Sequence, residues 1–108
     1  MNAVLDMPNL EIDPEAIARF CSHWALAELG VFGSVLRDDF RPESDVDVLI
    51  QPRPGSHPTL FDMVKMAEEL AIIFGRRVDL GTRRSIESDV NLLRRSAILD
   101  SVKVLYAE

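Results

Sequence analysis

A Gly-Ser pair and an Asp-x-Asp pair, separated by ten residues, limit the architecture of this chain more than any other feature. Asp45 and Asp47 alternate with apolar residues at the start of the run 46–50, and such a run predicts a buried strand. Because successive strand residues point to opposite faces, the two carboxylates share one face. Two carboxylates side by side repel each other unless a cation lies between them. The spacing therefore predicts a strand that presents a cation site.

The Gly-Ser pair supplies chemistry that complements such a cation site. Mg²⁺ prefers oxygen ligands and is usually bound by one or two carboxylates together with substrate phosphates. Gly33 allows close approach of the backbone, and Ser34 can begin a helical turn whose free N–H groups attract anions. We therefore expect phosphate binding at these two residues and metal binding at Asp45 and Asp47.

This spacing resembles the nucleotidyltransferase superfamily of DNA polymerase β, and most of all its stand-alone minimal nucleotidyltransferases. The match is closest over residues 33–50 and extends more loosely to Val78-Asp79-Leu80 and to the C-terminal segment 93–106. The resemblance implies an α/β (α+β) nucleotidyltransferase fold, in which helices pack on one face of a small mixed β-sheet. We expect residues 1–12 to be an N-terminal lead-in and residues 13–108 to be the nucleotidyltransferase domain.

The resemblance also implies a reaction, the transfer of a nucleoside monophosphate from a nucleoside triphosphate such as ATP with release of pyrophosphate. Two Mg²⁺ ions would stabilise the negative charge that builds on the entering and leaving oxygens. Asp45 and Asp47 would hold these metals. Asp79 matches the third carboxylate of the family and would bind the metal that activates the acceptor hydroxyl, or take its proton.

The family pattern assigns the triphosphate to the segment that precedes the Asp-x-Asp pair. Gly33 and Ser34 would bind the β- and γ-phosphates, and Arg37 and Arg41 would neutralise phosphate charge through bidentate contacts. Each assignment has a structural alternative. The two arginines would instead form salt bridges within the loop, and the aspartates would be solvent-facing charges that protect an edge strand.

Composition narrows the choice of acceptor and of cell compartment. The 108 residues suit one domain, and the net charge of −6 argues against a main role in binding nucleic acid, since phosphate contacts supply most of that affinity. No apolar run is long enough to span a membrane, and no secretory signal is visible. The lone Cys21 has no disulfide partner within the chain, which fits a reducing cytoplasm.

The small size leaves the acceptor site to be completed by another protein or by a second copy. Stand-alone members of the family commonly pair with an all-helical HEPN protein, an RNase toxin that the antitoxin silences by transferring AMP to a tyrosine. We therefore expect an Mg²⁺-dependent protein adenylyltransferase that forms a hetero-oligomer with a HEPN toxin. Two alternatives stay open, a small-molecule nucleotidyltransferase that resembles aminoglycoside-modifying enzymes and an antitoxin that acts by binding alone.

Capping signals predict the two main helices. Asp13-Pro14-Glu15 predicts a helix start, because Asp is a favoured N-cap and Pro a favoured first helical residue, and the apolar stripe of this helix is expected to reach Leu26. Thr59 and Asp62 predict a capping box for a second helix that Gly75 ends.

The remaining pattern predicts which face of the second helix is buried and where the other elements lie. The residues expected to pack on the sheet are Leu60, Met63, Val64, Ala67, Leu70, Ala71 and Phe74. The other predicted elements are strands at 28–32, 44–51 and 77–80, a helical turn at 34–37, a helix at 88–100, and a strand or helix continuation at 102–106.

Overall fold

The computed structural model describes residues 12–36, 44–83, 85 and 100–108. The fully described elements form an α+β arrangement of helices on a sheet. In chain order they are α1 (Pro14–His23), β1 (Leu26–Phe32), a short 3-10 helix (Gly33–Leu36), β2 (Val46–Pro52), α2 (Leu60–Phe74), β3 (Val78–Thr82) and β4 (Lys103–Ala107).

The four strands form one mixed sheet in the order β3-β2-β1-β4. Strand β1 is antiparallel to both β2 and β4, whereas β2 and β3 are parallel. The parallel pair requires a crossover, and α2 supplies it. This topology confirms the predicted small mixed sheet.

Both helices pack on the same face of the sheet. One apolar cluster joins side chains from α1, from α2 and from the inward positions of β1 and β2. Its fully or nearly buried members are Ile12, Ile17, Phe20, Cys21, Leu26, Leu29, Val31, Val35, Val46, Val48, Ile50, Met66, Leu70 and Phe74. Because Asp47 lies between Val46 and Val48, strand alternation assigns it to the opposite face, away from the helices.

The first helix begins as predicted and ends earlier than predicted. Asp13 caps it by accepting a hydrogen bond from the backbone N–H of Glu15, at 3.0 Å. The helix ends at His23, and Ala25 adopts a left-handed conformation with φ of 55°. This turn sends Leu26 into β1, so its assignment to the helical stripe was wrong.

The second helix has the predicted ends and part of the predicted buried face, since Leu70 and Phe74 are buried as expected. Thr59 and Asp62 form the reciprocal capping box, and Gly75 ends the helix with φ of 69°. Leu60 and Val64, expected against the sheet, are instead 81% and 52% exposed. The helix carries more apolar residues than one face can bury, and a stripe centred on Met66, Leu70 and Phe74 packs inward instead.

The C-terminal segment forms a strand, which decides between the two predicted alternatives for 102–106. Residues 103–107 pair with β1 at the edge of the sheet. Nearly all of the predicted helix 88–100 lies outside the described residues. Among the residues that the structure describes, no helix is both long enough and apolar enough to cross a membrane.

Candidate active site

Two of the predicted aspartates lie side by side on neighbouring parallel strands. Asp47 in β2 and Asp79 in β3 are directly paired in the register of the sheet. Adjacent strands lie about 4.8 Å apart, so the two carboxylates leave the backbone on the same face and close together. Asp47 is half-buried and Asp79 is exposed. A cation that reaches this face from solvent therefore meets two oxygen donors.

Gly33 lies directly against the Asp47 carboxylate. The glycine follows Phe32, the residue of β1 that pairs with Asp47, and it adopts a φ of 76°. A Cβ built at this position would overlap Oδ2 of Asp47 and lie 3.3 Å from its Cγ. Only glycine satisfies both the left-handed backbone and the close approach. The Gly-Ser turn and the Asp-x-Asp strand thus meet at the place that the sequence predicts.

Asp45, the first aspartate of the pair, has a cationic neighbour. Its Oδ1 lies 3.1 Å from Nε of Arg77, which is the residue before β3. The backbone reinforces the contact, because the N–H of Val46 donates to the carbonyl of Arg77 at 2.9 Å. Sequence analysis did not assign Arg77 to the site. Its signal was its position two residues before Asp79, a separation that places it directly before the strand that carries Asp79.

The ion pair between Asp45 and Arg77 affects whether all three carboxylates can bind a metal together. Within the described residues, no group of three His, Cys, Asp or Glu side chains is arranged to hold a metal ion. Asp47 and Asp79 fit a divalent ion by donor type and by register. Asp45 would join them only if the metal replaces the Arg77 guanidinium as its cation.

The phosphate-binding half of the predicted site is described in part. Residues 33–36 form the expected helical turn, shifted by one residue toward the N-terminus. Arg37 and Arg41 lie outside the described residues, and so does the loop that joins the turn to Ser44. The assignments of Ser34, Arg37 and Arg41 to the triphosphate therefore stay predictions.

A second concave region lies at the opposite end of the parallel strands. A cavity of about 420 Å³ is bordered by the ends of β2 and β3 and by the proline-rich loop 52–58. Its two arginines are engaged by carboxylates, Arg53 by Glu108 and Arg83 by Glu28, the latter at 2.8 Å. These ion pairs join neighbouring chain segments at this end of the sheet and leave the cavity without a strong net charge.

The fold and the paired carboxylates define a class of protein, a small α+β domain with two acidic side chains on neighbouring parallel strands of a mixed sheet. Comparison with known families is more specific. The nucleotidyltransferase domain family matches residues 14–105. Since this match covers most of the chain, the protein belongs to the nucleotidyltransferase domain family.

Two archaeal relatives share this domain. The protein adenylyltransferase MntA of Thermococcus cleftensis is 34% identical over 67 residues, which are 62% of this chain and 66% of that relative. A candidate protein adenylyltransferase of Methanocaldococcus jannaschii is 33% identical over 75 residues, 69% of this chain and 75% of that relative. The match to MntA thus spans just under two thirds of that protein's own length.

Solved structures show the same fold. A structure described as a minimal nucleotidyltransferase superposes with a TM-score of 0.63 at 29% identity, over 83% of this chain and 86% of that one. A crystal structure of a toxin–antitoxin with AMP-PNP gives a TM-score of 0.66 at 20% identity, over 88% of this chain and 73% of that one. At that identity the second likeness concerns the fold alone.

Proposed function

We propose that this chain transfers an AMP group from ATP to a hydroxyl group of a partner protein and acts in this way as an antitoxin. The observation that carries the proposal is the contact of Gly33 with the Asp47 carboxylate, which pairs across the sheet with Asp79. Family membership supports the reaction class. The relatives named as protein adenylyltransferases support the adenylyl group and the protein acceptor.

In the proposed reaction, the acceptor oxygen attacks the α-phosphorus of ATP and forms a new P–O bond. The bond from the α-phosphorus to the oxygen that bridges it to the β-phosphorus breaks, and pyrophosphate leaves with the electron pair. The hydroxyl proton passes to Asp79 or to water. Asp45, Asp47 and Asp79 would hold two Mg²⁺ ions, which supply charge stabilisation at the entering and leaving oxygens.

The triphosphate would lie along the turn that begins at Gly33. Gly33 and Ser34 would receive the β- and γ-phosphates, and Arg37 and Arg41 would balance their charge. Arg77, whose Nε lies 3.1 Å from Oδ1 of Asp45, would border the same site.

The proposed partner is an RNase toxin of the HEPN family, and the proposed acceptor is a tyrosine near its active site. One structure of the same fold is that of a toxin–antitoxin with AMP-PNP, which supports a toxin as partner and ATP as donor. The net charge of −6 favours association with a basic RNA-binding protein. A cytoplasmic location belongs to this proposal, because ATP and the reduced Cys21 thiol are both found there.

A labelling experiment tests the proposal. The purified chain would be incubated with Mg²⁺ and a lysate of its host, and ATP would carry the label on the α-phosphate in one sample and on the γ-phosphate in another. The Asp45→Asn/Asp47→Asn variant removes two proposed ligands. Asp100→Asn, which changes an exposed aspartate just before β4, is the matched control.

We expect label from the α-phosphate alone on a small protein, present with the control and absent with the double variant. Label from the γ-phosphate would instead indicate a kinase and would overturn the proposal. Absence of protein label together with a labelled small molecule would favour a small-molecule nucleotidyltransferase. Full neutralisation of the toxin by the double variant would show that binding alone suffices, and would overturn AMP transfer as the basis of the antitoxin activity.

A further inference from the structure

The outer face of α2 exposes an unusual amount of apolar surface. Four large apolar side chains on this one helix are at least half exposed: Leu60 at 81%, Phe61 at 71%, Val64 at 52% and Ile72 at 82%. Isolated exposed apolar residues are common on proteins, whereas a continuous group on one element marks a contact surface. We call these four residues the α2 patch.

Helical spacing places the members of the α2 patch on one side of the helix. Leu60 and Val64 are four residues apart, Phe61 and Val64 three, and Ile72 follows Phe61 by eleven, which is three helical turns. The patch therefore runs along about 18 Å of the helix, at 1.5 Å per residue. The opposite side of α2 is already satisfied by the core through Met66 and Leu70. The helix is thus apolar on both sides, as expected of an element that lies between two partners.

The charged residues of this face identify the kind of partner. Lys65 and Glu68 are both exposed beside the α2 patch, and the Lys65 ammonium lies 5.2 Å from the centre of the Phe61 ring. Along the helix axis, Lys65 and Glu68 lie at equal distances from the midpoint between Met66 and Ala67. Phe61 and Ile72 are also symmetric about that midpoint. A second α2 that runs antiparallel through it therefore brings Lys65 opposite Glu68 and Phe61 opposite Ile72.

We propose that the α2 patch is the interface of a two-fold homodimer, in which the α2 helices of two copies pack antiparallel. An isologous contact requires a self-complementary surface, and the symmetric charges supply one. The helices α1 and α2 and the aspartates lie on opposite faces of the sheet, so this dimer contact does not involve the Asp47–Asp79 face of either copy.

The proposal predicts a particular response to salt. Each copy carries a net charge of −6, so two copies repel at long range. Salt screens this repulsion, and to a smaller extent the two short-range Lys65–Glu68 attractions, and leaves the apolar contact intact. We expect the dimer to tighten between low salt and about 0.3 M salt, where the Debye length is below 8 Å.

Sedimentation velocity over a range of protein concentrations tests the proposal. We expect a dimer for the unmodified chain and a loss of at least tenfold in dimer affinity for Phe61→Glu and for Ile72→Glu. Val104→Glu is the matched control, because it places the same charge on an exposed apolar residue outside α2 and should leave the dimer unchanged. Circular dichroism and thermal unfolding would establish that each variant is folded.

Charge reversal tests the register itself. Lys65→Glu places two acidic residues opposite each other, and Glu68→Lys places two basic ones, so each variant alone should be monomeric. An equimolar mixture of the two should associate, because every acidic side chain of one variant then lies opposite a basic side chain of the other. The double variant Lys65→Glu/Glu68→Lys should dimerise by itself.

The contrary outcomes are equally clear. A monomer at every concentration and salt would overturn the proposal, whether another segment of the chain or a different protein covers the α2 patch. A dimer that survives Phe61→Glu and Ile72→Glu would place the interface elsewhere and would also overturn it. The readout is association alone, so failure of the dimer proposal is distinct from failure of AMP transfer.

Discussion

At the scale of single residues, Gly33 links the turn to the Asp47 carboxylate. Its left-handed backbone turns the chain out of β1, and its missing side chain leaves room for Oδ2 of Asp47. Because the same residue begins the proposed phosphate turn, any side chain here would disturb a proposed metal ligand and a proposed phosphate contact together. The position is therefore expected to be more sensitive in activity than in stability.

The substitution Gly33→Ala tests this expectation. An alanine at a φ of 76° costs about 1–2 kcal/mol in unfolding free energy, and its Cβ forces the Asp47 carboxylate to move. We expect AMP transfer to fall on the order of 10- to 100-fold, since displacements of about 1 Å at a reacting centre have effects of this size. Labelled AMP transfer and urea unfolding would be measured on the same sample.

Gly55→Ala is the control for Gly33→Ala. Gly55 also has a left-handed backbone, with φ of 86°, but nothing lies within 4 Å of an added Cβ. We expect a similar loss of stability and unchanged transfer activity. If both variants lost activity to the same extent, backbone strain alone would explain the effect, and the contact with Asp47 would not matter.

The residues of the site differ in how far the sequence could predict them. Gly33 and the Asp45–Asp47 spacing are local patterns, and strand alternation follows from them directly. The pairing of Asp47 with Asp79 needed the family resemblance, because nothing local sets the register between β2 and β3. The ion pair of Asp45 with Arg77 could not be predicted, since the neighbours of an exposed side chain are determined only when the strands have assembled.

At the scale of secondary-structure elements, the turn between α1 and β1 was the least predictable. Helices usually end at a glycine that adopts the left-handed conformation, and Gly75 does so after α2. After α1 the residue with the left-handed conformation is Ala25, with φ of 55°. Its backbone also takes part in the fold, because the carbonyl of Ala25 accepts from the N–H of Arg53 at 2.9 Å. Tertiary contacts hold a turn that local sequence disfavours.

The strained alanine makes a stabilising substitution predictable. Ala25→Gly removes the penalty of a side chain in the left-handed region, and we expect the free energy of unfolding to rise by up to about 1 kcal/mol. Ala67→Gly, in the middle of α2, is the control and should lower it by about 0.5–1 kcal/mol, because glycine weakens a helix interior. Urea unfolding measures both. A destabilised Ala25→Gly variant would contradict the assigned backbone conformation.

The sequence predicted the ends of α2 correctly and its buried face only in part, for separate physical reasons. Capping depends on neighbouring residues alone, so Thr59, Asp62 and Gly75 were sufficient. Periodicity, by contrast, identifies a buried face only when the other face is polar. Leu60 and Val64 belong to a second apolar stripe. These two residues, which were expected to be buried, belong to the α2 patch from which we infer an interface.

At the scale of the whole molecule, the sheet separates two surfaces with different tasks. One face carries Asp47 and Asp79, and the other is covered by both helices and holds the apolar core. Stability and chemistry are therefore assigned to opposite sides of β2. Changes in the core should alter the free energy of unfolding and leave the arrangement of the carboxylates intact.

Cys21 reports on this core through the dependence of stability on pH. The thiol is fully buried in α1, and this burial, helped by the nearby charge of Glu108 and opposed by that of Arg53, raises the pKa of Cys21 from 9.0 to about 12. Below pH 9 the thiol is protonated in both the folded and the unfolded chain. Between pH 9 and 12 the unfolded chain releases the proton and the folded chain keeps it, so ionisation favours unfolding.

We therefore expect stability to fall as the pH rises from 9 to 12, with a contribution from Cys21 of up to about 1.4 kcal/mol per pH unit before solvent screening reduces it. Urea unfolding at half-unit intervals would measure the slope for the unmodified chain and for Cys21→Ala. The variant should be less stable at pH 8, because it leaves a small cavity, but should lose less stability on the way to pH 11. Since other groups titrate in this range in both proteins, the difference between the two slopes isolates the contribution of the thiol.

Equal slopes would contradict this prediction, and so would rapid reaction of the folded chain with a thiol reagent at pH 8. Either result would mean that Cys21 is exposed to solvent and that α1 does not pack on the sheet as described.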